Sequence, residues 1–405
     1  MRLLKWISIG LAGLIVLALL GVLVVVWLVD PNVFKPRIEA AVKDATGRDL
    51  SLTGDIELGF FPWLALRAGE GRFGNAPGFG PEPMITWKSA QLGAKLFPLL
   101  RGELIADRVR LEGADVRLVR RADGVANWEG IGGNQPADPN ARPMELRIDG
   151  VAIKDSRFTF SDETVPRRVE VTALNLTTGE IAPGEPFTDS QVAGVLHMDG
   201  FAAAGVPFRL TVPKAVLPAD YSSVDVKEFE LVFAEFAARG GINGTLGEQP
   251  RFAGALETNE FDPRALLAAV GVEAPKTTDP AALGKVRFKG AWAFDRGAIS
   301  IKPLALTLDD THFTGDFLRS AGEDPVGEFT LRGDVLNISR YVPPADPDSE
   351  PFVLPTEALK NLKFRGVLEL EQATYDDIVM KGVTVRLILD EQGLRNATRP
   401  LVGAP

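Results

Sequence analysis

The chain has 405 residues, a formal net charge of −10, no cysteine and 2 histidines. The missing cysteines exclude disulfides, iron–sulfur clusters and thiolate zinc sites; with only His197 and His312 a histidine-rich metal centre is excluded too, so no cofactor is expected. The acidic balance argues against a nucleic-acid partner, and the length exceeds one ordinary core, so several units or an elongated array are expected.

From Ile7 to Val29 no residue is charged and Ser8 is the only polar one. At 1.5 Å per residue this stretch reaches roughly 34 Å, enough for a hydrocarbon core of about 30 Å. A cleaved signal peptide has a shorter apolar region ending in small residues, whereas this one ends in Trp27-Leu28-Val29-Asp30. The expectation is one uncleaved transmembrane anchor. Arg2 and Lys5 place residues 1–6 in the cytoplasm and the bulk on the far side, although Lys35, Arg37 and Lys43 weaken that bias.

Residues 33–46 read as a short membrane-proximal helix, with Ile38, Ala41, Val42 and Ala45 on one face and Gly47 as its stop. Leu50, Leu52 and Ile56, Leu58 flank the turn residues Thr53-Gly54-Asp55 in a hairpin-like rhythm. The aromatic cluster Phe60-Phe61-Pro62-Trp63 follows. A second helix is expected at 263–270, with Asp262 as N-cap, Pro263 at the first position and Gly271 as its end. Asp279-Pro280 reads as the start of a shorter one, and 355–361 as a third. The rest is strand and turn, with tight turns at Asp123-Gly124 and Asn243-Gly244. Segments 132–143 and 342–351 read as loops, either linkers or exposed excursions. The expected organisation is a cytoplasmic tip at 1–6, the anchor at 7–29, a β region at 30–131, a loop at 132–143, a repeated-hairpin sheet at 144–341, a Pro-rich loop at 342–351 and a further β unit at 352–405.

Leu104–Leu118 aligns without gaps to Leu146–Phe160: Leu104 with Leu146, Val109 with Val151, Leu111 with Ile153, Val116 with Phe158, Leu118 with Phe160. Val286–Phe294 aligns similarly to Leu362–Leu370. Each copy alternates apolar and polar residues, as half-buried strands do, and the repeats point to a sheet extended by stacking similar hairpins. A sheet with one apolar face must cover it, and helices are scarce here. The answers are a sandwich or closed barrel, or a long curled sheet whose open trough is a binding surface. The fold expected is mainly β: a transmembrane helix followed by an elongated, curled antiparallel sheet with a few short helices.

Chemistry signals are weak. Gly69-Glu70-Gly71-Arg72-Phe73-Gly74 fits a dinucleotide-binding spacing, but the Pro- and Gly-rich residues after it cannot form the required helix, so it reads as a glycine-rich turn. Asp309-Asp310-Thr311-His312 and Asp376-Asp377 read as turn formers rather than ion ligands. Arg120-Arg121 and Arg167-Arg168 read as solvated strand ends, with contact to anionic head groups as the sharper alternative. Asn175-Leu176-Thr177 is a glycosylation sequon that matters only in a glycosylating host. No nucleophile elbow, zinc-protease helix or phosphate loop is present, so no enzyme is expected.

Several segments in order resemble the AsmA family of bacterial envelope proteins. They are Asp30-Pro31-Asn32-Val33-Phe34-Lys35-Pro36, Thr46-Gly47-Arg48-Asp49-Leu50, Phe61-Pro62-Trp63, Gly74-Asn75-Ala76-Pro77-Gly78-Phe79, Leu96-Phe97-Pro98-Leu99-Leu100 and Asp123-Gly124-Val125-Ala126-Asn127-Trp128-Glu129. Phe261-Asp262-Pro263-Arg264-Ala265-Leu266-Leu267, Leu308-Asp309-Asp310-Thr311 and Arg340-Tyr341-Val342-Pro343-Pro344 follow. The resemblance implies a bacterial inner-membrane, single-pass protein with a periplasmic bulk, linked to outer-membrane biogenesis and phospholipid homeostasis, with larger relatives built as bridge-type lipid carriers. It implies no catalytic residues. Family members continue past this point, whereas the sequence ends at Leu401–Pro405 in what reads as the middle of a strand-and-turn unit, as a truncated product would.

The function expected is non-enzymatic handling of membrane phospholipid along an apolar β groove. The candidate lining residues are Val109, Leu111, Val116, Leu118, Leu146, Val151, Ile153, Phe158 and Phe160, which would equally fill a closed sandwich core. The alternative is an envelope assembly scaffold that acts through protein partners docked on its sheet edges.

Overall fold

The computed structural model describes residues 30–59, 63–95, 105–106, 108–131, 147–165, 167–182, 185–322 except 219, 221 and 248, then 324–344, 363–390 and 393–396. The anchor at Ile7–Val29, residues Phe60–Pro62, the 132–143 loop and the 355–361 helix therefore lie outside the described residues. No helix among the described residues is long and apolar enough to cross a membrane. The chain divides into two units, Met1–Arg168 and Val169–Pro405.

Unit 1 opens with a short 3-10 turn (Pro31–Phe34) and α1 (Lys35–Thr46). Gly47 ends α1 in the left-handed region at φ 70°, where a side chain would be strained, as the sequence predicts. None of the residues of α1 is fully buried. The helix lies along strands β1 (Leu50–Leu52) and β2 (Ile56–Gly59) through its polar side. The Ile56 amide donates to Asn32 Oδ1 at 2.9 Å, Lys35 pairs with Asp55 at 3.6 Å, the Leu52 amide donates to Glu39 Oε1 at 2.8 Å, and Lys43 pairs with Asp49 at 2.8 Å. Those four side chains recur every three or four residues, which is one stripe of a helix. Asn32 and Glu39 thereby satisfy two backbone amides at the sheet edge that would otherwise be open to another chain, and Lys35 and Lys43 pair with carboxylates beside them.

The sheet of unit 1 has five arms. The first is β1–β2 and the second is β3 (Trp63–Ala68) with β4 (Gly71–Phe73). The third is β5 (Ile85–Trp87) with β6 (Ser89–Lys95), and the fourth is β7 (Ile105–Ala106), β8 (Val109–Glu112) and β9 (Asp115–Arg120). The fifth is β10 (Arg147–Ile148) with β11 (Val151–Asp162). Thr53-Gly54-Asp55 is not a hairpin turn. β1 pairs with β4 and β2 with β3, so the residues sit mid-arm. Every arm breaks at this level, and each break bonds to the next. Gly54 N donates to Glu70 O at 2.7 Å, Trp87 Nε1 to Gly69 O at 3.0 Å, Lys88 N to Glu112 O at 3.0 Å and Gly113 N to Lys154 O at 3.0 Å. The last two arms break at positive φ, 61° at Gly113 and 46° at Asp155. Aligned bulges of this kind crease a sheet and increase its twist. A Cβ on Gly54 would collide with the Glu70 backbone, so the close approach requires glycine. The Gly69–Gly74 segment is likewise a strand and its lead-in, not a turn, and Gly71 lies under the Trp87 ring.

The first repeat is paired with itself. β7 pairs with β10, and β8 and β9 pair with β11, all parallel, so that Val109 meets Val151, Leu111 meets Ile153, Val116 meets Phe158 and Leu118 meets Phe160. Aligned residues are cross-strand neighbours rather than equivalent members of stacked hairpins, which makes the sheet mixed instead of antiparallel throughout.

Three family-like segments meet in one polar knot. Arg48 is buried, donates to the Glu129 carbonyl at 2.7 Å and lies 5.7 Å from the Phe73 ring centroid; burial pulls its pKa down. Asn127 is fully buried: its Oδ1 accepts from Val119 N at 2.9 Å, and its Nδ2 donates to Asn75 Oδ1 at 3.0 Å and Arg117 O at 2.9 Å. Asp123-Gly124 forms the predicted turn, closed by Arg121 N to Val125 O at 2.9 Å.

Unit 2 is a meander. Its strands are β12 (Arg167–Thr177, starting at the unit boundary), β13 (Phe187–Met198), β14 (Val206–Val216), β15 (Ser223–Phe233), β16 (Phe236–Thr245) and β17 (Arg251–Thr258). After α2 (Pro263–Ala269) come β18 (Val286–Asp295), β19 (Ala298–Leu308), β20 (Thr311–Arg319), β21 (Val326–Asn337), β22 (Lys363–Tyr375), β23 (Ile378–Asp390) and β24 (Gly393–Asn396). Each pairs antiparallel with the next except β21 and β22, which are parallel. No described pairing joins β24 to β12, so the sheet is open rather than a closed barrel. Asn243-Gly244, expected as a turn, lies inside β16, where a Cβ on Gly244 would strike Arg251 O and the Phe252 ring. The second repeat, on β18 and β22, is not paired with itself.

The connection between β17 and β18 is a strap along one row of strand ends. α2 forms as the sequence predicts, with Asp262 accepting from Arg264 N at 2.8 Å. The strap touches the β13–β14 turn, where Ala202 N donates to Ala269 O at 3.2 Å, and then the segment after β21, where Thr278 N donates to Val342 O at 2.8 Å. Asp279-Pro280 starts a single turn, not a helix, and Asp279 pairs with Arg340 at 2.7 Å. Buried Asp309 ties the strap down: it accepts from the amides of Leu283 (2.9 Å), Gly284 (2.9 Å) and Lys285 (3.1 Å) and from Tyr341 Oη (2.8 Å).

These buried groups set the stability of each unit. Asn127→Ala leaves Val119 N and Arg117 O without partners and is expected to cost unit 1 about 2–4 kcal/mol in urea denaturation, against under about 0.5 kcal/mol for exposed Asn243→Ala. Burial raises the Asp309 pKa, but the tyrosine and amide donors outweigh it and hold the carboxylate below its ordinary value. A depressed carboxylate stabilises the fold above the unfolded pKa and loses that contribution as pH falls through the folded one. The strap should therefore be pH-independent from about pH 5 to 8 and loosen only below about pH 4. Asp309→Asn removes the charge at every pH, and amide exchange across 278–285 should quicken about 30-fold, equivalent to about 2 kcal/mol.

Candidate functional site

Directly paired residues share a face of a sheet, as do residues two apart on a strand. Following the register from β12 to β23 traces one row: Leu176, Val192, Leu210, Leu231, Ala238, Thr258, Phe288, Leu306, Phe313, Gly333, Leu370, Val383. Thr258 joins β17 to β18 by accepting from Phe288 N at 2.9 Å. Apart from that threonine the row is apolar across the unit. Parallel rows on the same face contain Val206, Phe208 and Phe233, then Leu256, Trp292, Ile301, Phe317, Phe329, Leu368 and Val385. The opposite face carries cross-strand ion pairs: Arg239 with Glu230 at 2.9 Å, Arg287 with Glu257 at 2.6 Å and Arg332 with Glu369 at 2.9 Å. These exposed pairs add little stability but keep that face wet.

A second layer would bury the apolar row. Instead Leu176, Val192, Leu210, Leu231, Phe288, Leu306 and Val383 are all only half-buried. The row's other members, Ala238, Thr258, Phe313, Gly333 and Leu370, are buried, Phe313 and Leu370 in a small cluster with Ala373. The surface is also levelled. Aromatic rings lie over glycines on the neighbouring strand: Phe329 over Gly366, where an added Cβ would come within 2.6 Å of the ring, and Phe364 over Gly327. Phe317 and Phe364 approach to 6.4 Å and Phe252 and Phe294 to 6.2 Å between centroids. A ring laid flat in the gap left by a glycine fills what would be a pit, and the face becomes a continuous hydrocarbon surface.

Unit 1 has its own apolar face, and it holds part of the expected lining. Leu58, Leu66 and Leu92 pair in a row across β2, β3 and β6, and the same register carries this row to Val109 and Val151. Leu66 and Leu92 are 37% and 50% exposed, while Val109, Leu111, Val151 and Ile153 are half-buried. Beyond the crease, Val116 and Phe158 continue a second row, Leu50–Phe73–Ile85–Val116–Phe158, with Leu118 and Phe160 beside it. The five-residue step from Ile153 to Phe158 would swap faces in an unbroken strand; the bulge at Asp155 restores the parity. Leu146 lies outside the described residues. The longer face of unit 2 is not among the expected lining, although the alternation Val206, Phe208, Leu210, Val212 in β14 carries its signal.

The polar candidates resolve as structure. Asp309 is the strap's acceptor, and His312 Nδ1 lies 3.0 Å from Asp334 on the polar face. No group of His, Asp and Glu able to hold a metal occurs among the described residues. The Arg120-Arg121 pair is not simply solvated: Arg120 pairs with Asp162 at 3.3 Å and lies 5.5 Å from the Trp128 ring, and Arg121 pairs with Asp123 and lies 5.1 Å from the Phe79 ring.

These features define a mainly β protein whose large, open, mixed sheet keeps one apolar face half-exposed, with few helices. The model of the AsmA family matches residues 1–215, more than half of the chain, and the protein belongs to that family. The AsmA family protein YhjG of Escherichia coli (strain K12) is 23% identical over 203 residues, covering 46% of this chain and 29% of that protein. Protein AsmA of the same organism is 20% identical over 342 residues, covering 82% of this chain and 47% of that protein. The chain thus spans less than half the length of both relatives.

Proposed function

We propose that this is a non-enzymatic lipid-handling protein, tethered to the bacterial inner membrane by Ile7–Val29, with its bulk in the periplasm and a role in outer-membrane biogenesis. Phospholipid acyl chains lie on the apolar sheet face while head groups stay in water. The observation that carries this reading is the row from Leu176 to Val383, apolar but for Thr258 and half-exposed along most of its length. Exposed apolar patches beyond a few hundred Å² are binding surfaces in soluble domains. Strands β12 to β23 run from 8 to 13 residues, about 26–43 Å, so the face offers ample width.

The test is site-specific photo-crosslinking of the full chain in cells. A benzophenone side chain at Leu231 or Leu306 should yield phospholipid adducts, detected by mass spectrometry of the purified protein. The same group at Val232 or Thr307, which face the other side, should yield at least fivefold fewer. Protein adducts without lipid at Leu231 and Leu306 would instead support the assembly-scaffold reading.

A further inference from the structure

We infer that α1 is an interfacial helix that lies on the bilayer surface through the stripe its docking contacts leave free; this rests on the anchor reading above. The helix uses Asn32, Lys35, Glu39 and Lys43 to hold the sheet edge. Its apolar stripe is therefore not consumed by the protein's own core. Phe34, Ile38, Ala41 and Ala45 follow the four–three–four spacing of one helix face. Phe34 is 42% exposed, Ala41 and Ala45 are exposed and Ile38 is half-buried. Val33, in the turn before the helix, is 63% exposed.

What covers this stripe follows from the chain that precedes it. The uncharged stretch Ile7–Val29 ends at Asp30, and α1 begins at Lys35. Five residues reach at most about 18 Å, so the first turn of α1 lies at the membrane–water boundary if the stretch spans the bilayer. An apolar stripe held there meets the acyl boundary more readily than a protein partner. Arg37 is exposed, flanks the stripe and makes no ion pair among the described residues, which suits an anionic head group. The outcome is a rigid mount: the sheet edge is fixed to a helix that is itself laid on the membrane, so that β1 and β2 are held close to the lipid.

The natural absence of cysteine makes the test direct. Single-cysteine variants of the full chain are labelled with an environment-sensitive fluorophore and placed in vesicles containing phosphatidylglycerol, and quenching by lipids spin-labelled near the head group is measured. Labels on Phe34→Cys, Ile38→Cys, Ala41→Cys and Ala45→Cys should be quenched at least twofold more than labels on Ala40→Cys and Asp44→Cys. A label on Leu17→Cys, quenched by lipids spin-labelled deep in the chain, reports the anchor separately. Quenching at Leu17→Cys with no difference between the two helix sets overturns the docking proposal and leaves the anchor standing. Labels on the stripe that are shielded from water yet unquenched mean that protein covers it, and also overturn the proposal. No quenching at Leu17→Cys overturns both.

Discussion

Because side chains alternate along a strand, a one-residue slip of any strand in unit 2 would turn its apolar set to the wet face. Register is thus the constraint on which the binding surface depends. The meander helps, since short turns between neighbours fix each pairing locally. Bulges threaten it, and the sheet has several, between Thr172 and Asn175 and between Ile301 and Leu304 among them. In both places apolar residues rejoin the same face beyond the bulge, at Leu176 and at Leu304, because the side-chain pattern shifts with the backbone. The ion pairs opposite, though weak singly, also penalise slippage by bringing like charges together.

Segments that make the family recognisable serve the frame more than the surface. Arg48, Asn75 and Asn127 come from three separated motifs and meet in one buried knot. Asp309 and Tyr341 come from two more and pin the strap. A single-layer sheet has little interior in which to hide polar groups, so the few it buries must be fully partnered. The apolar face needs only hydrocarbon of about the right size, and tolerates exchange among Leu, Val, Ile and Phe.

The β character, α2 with its Asp262 cap, the end of α1 at Gly47 and the turn at Asp123-Gly124 are legible because all rest on local chemistry that a sequence displays. The failures share a cause. Glycine marks either a positive φ or a close approach, and the letter does not distinguish them: Gly54 and Gly244 read as turns but are close approaches, Gly54 at the break between β1 and β2 and Gly244 inside β16. The repeat reveals that two segments share an environment, but not that they lie side by side in parallel. The aligned crease of unit 1 is a property of five arms together, invisible in any one of them. Among the lining candidates, Val109, Leu111, Val151 and Ile153 lie half-buried on the face that carries Leu66 and Leu92. The longer face in unit 2 escapes a reading centred on the first repeat, because only β18 and β22 among its strands resemble one another and they are not paired.

Within unit 1 the edge that α1 holds and the apolar surface share a strand. Ile56 receives Asn32 from the α1 side, and Leu58, two residues on, begins the row that passes through Leu66 and Leu92 to Val109 and Val151. Four strand spacings separate its ends, about 19 Å. Its most exposed members, Leu66 and Leu92, lie on the second and third of its five strands. Under the proposed lipid-handling role, a helix that merely tethered the protein would leave that end free to drift from the bilayer, and each lipid transfer would cross water at the full cost of exposing its chains. The 3-10 turn and α1 hold the edge arm at four points, two on strand amides and two on flanking carboxylates, and remove that freedom. The same contacts that blunt the sheet edge against other proteins therefore fix the start of the apolar row relative to α1; under the proposed lipid-handling role, that start lies beside the bilayer.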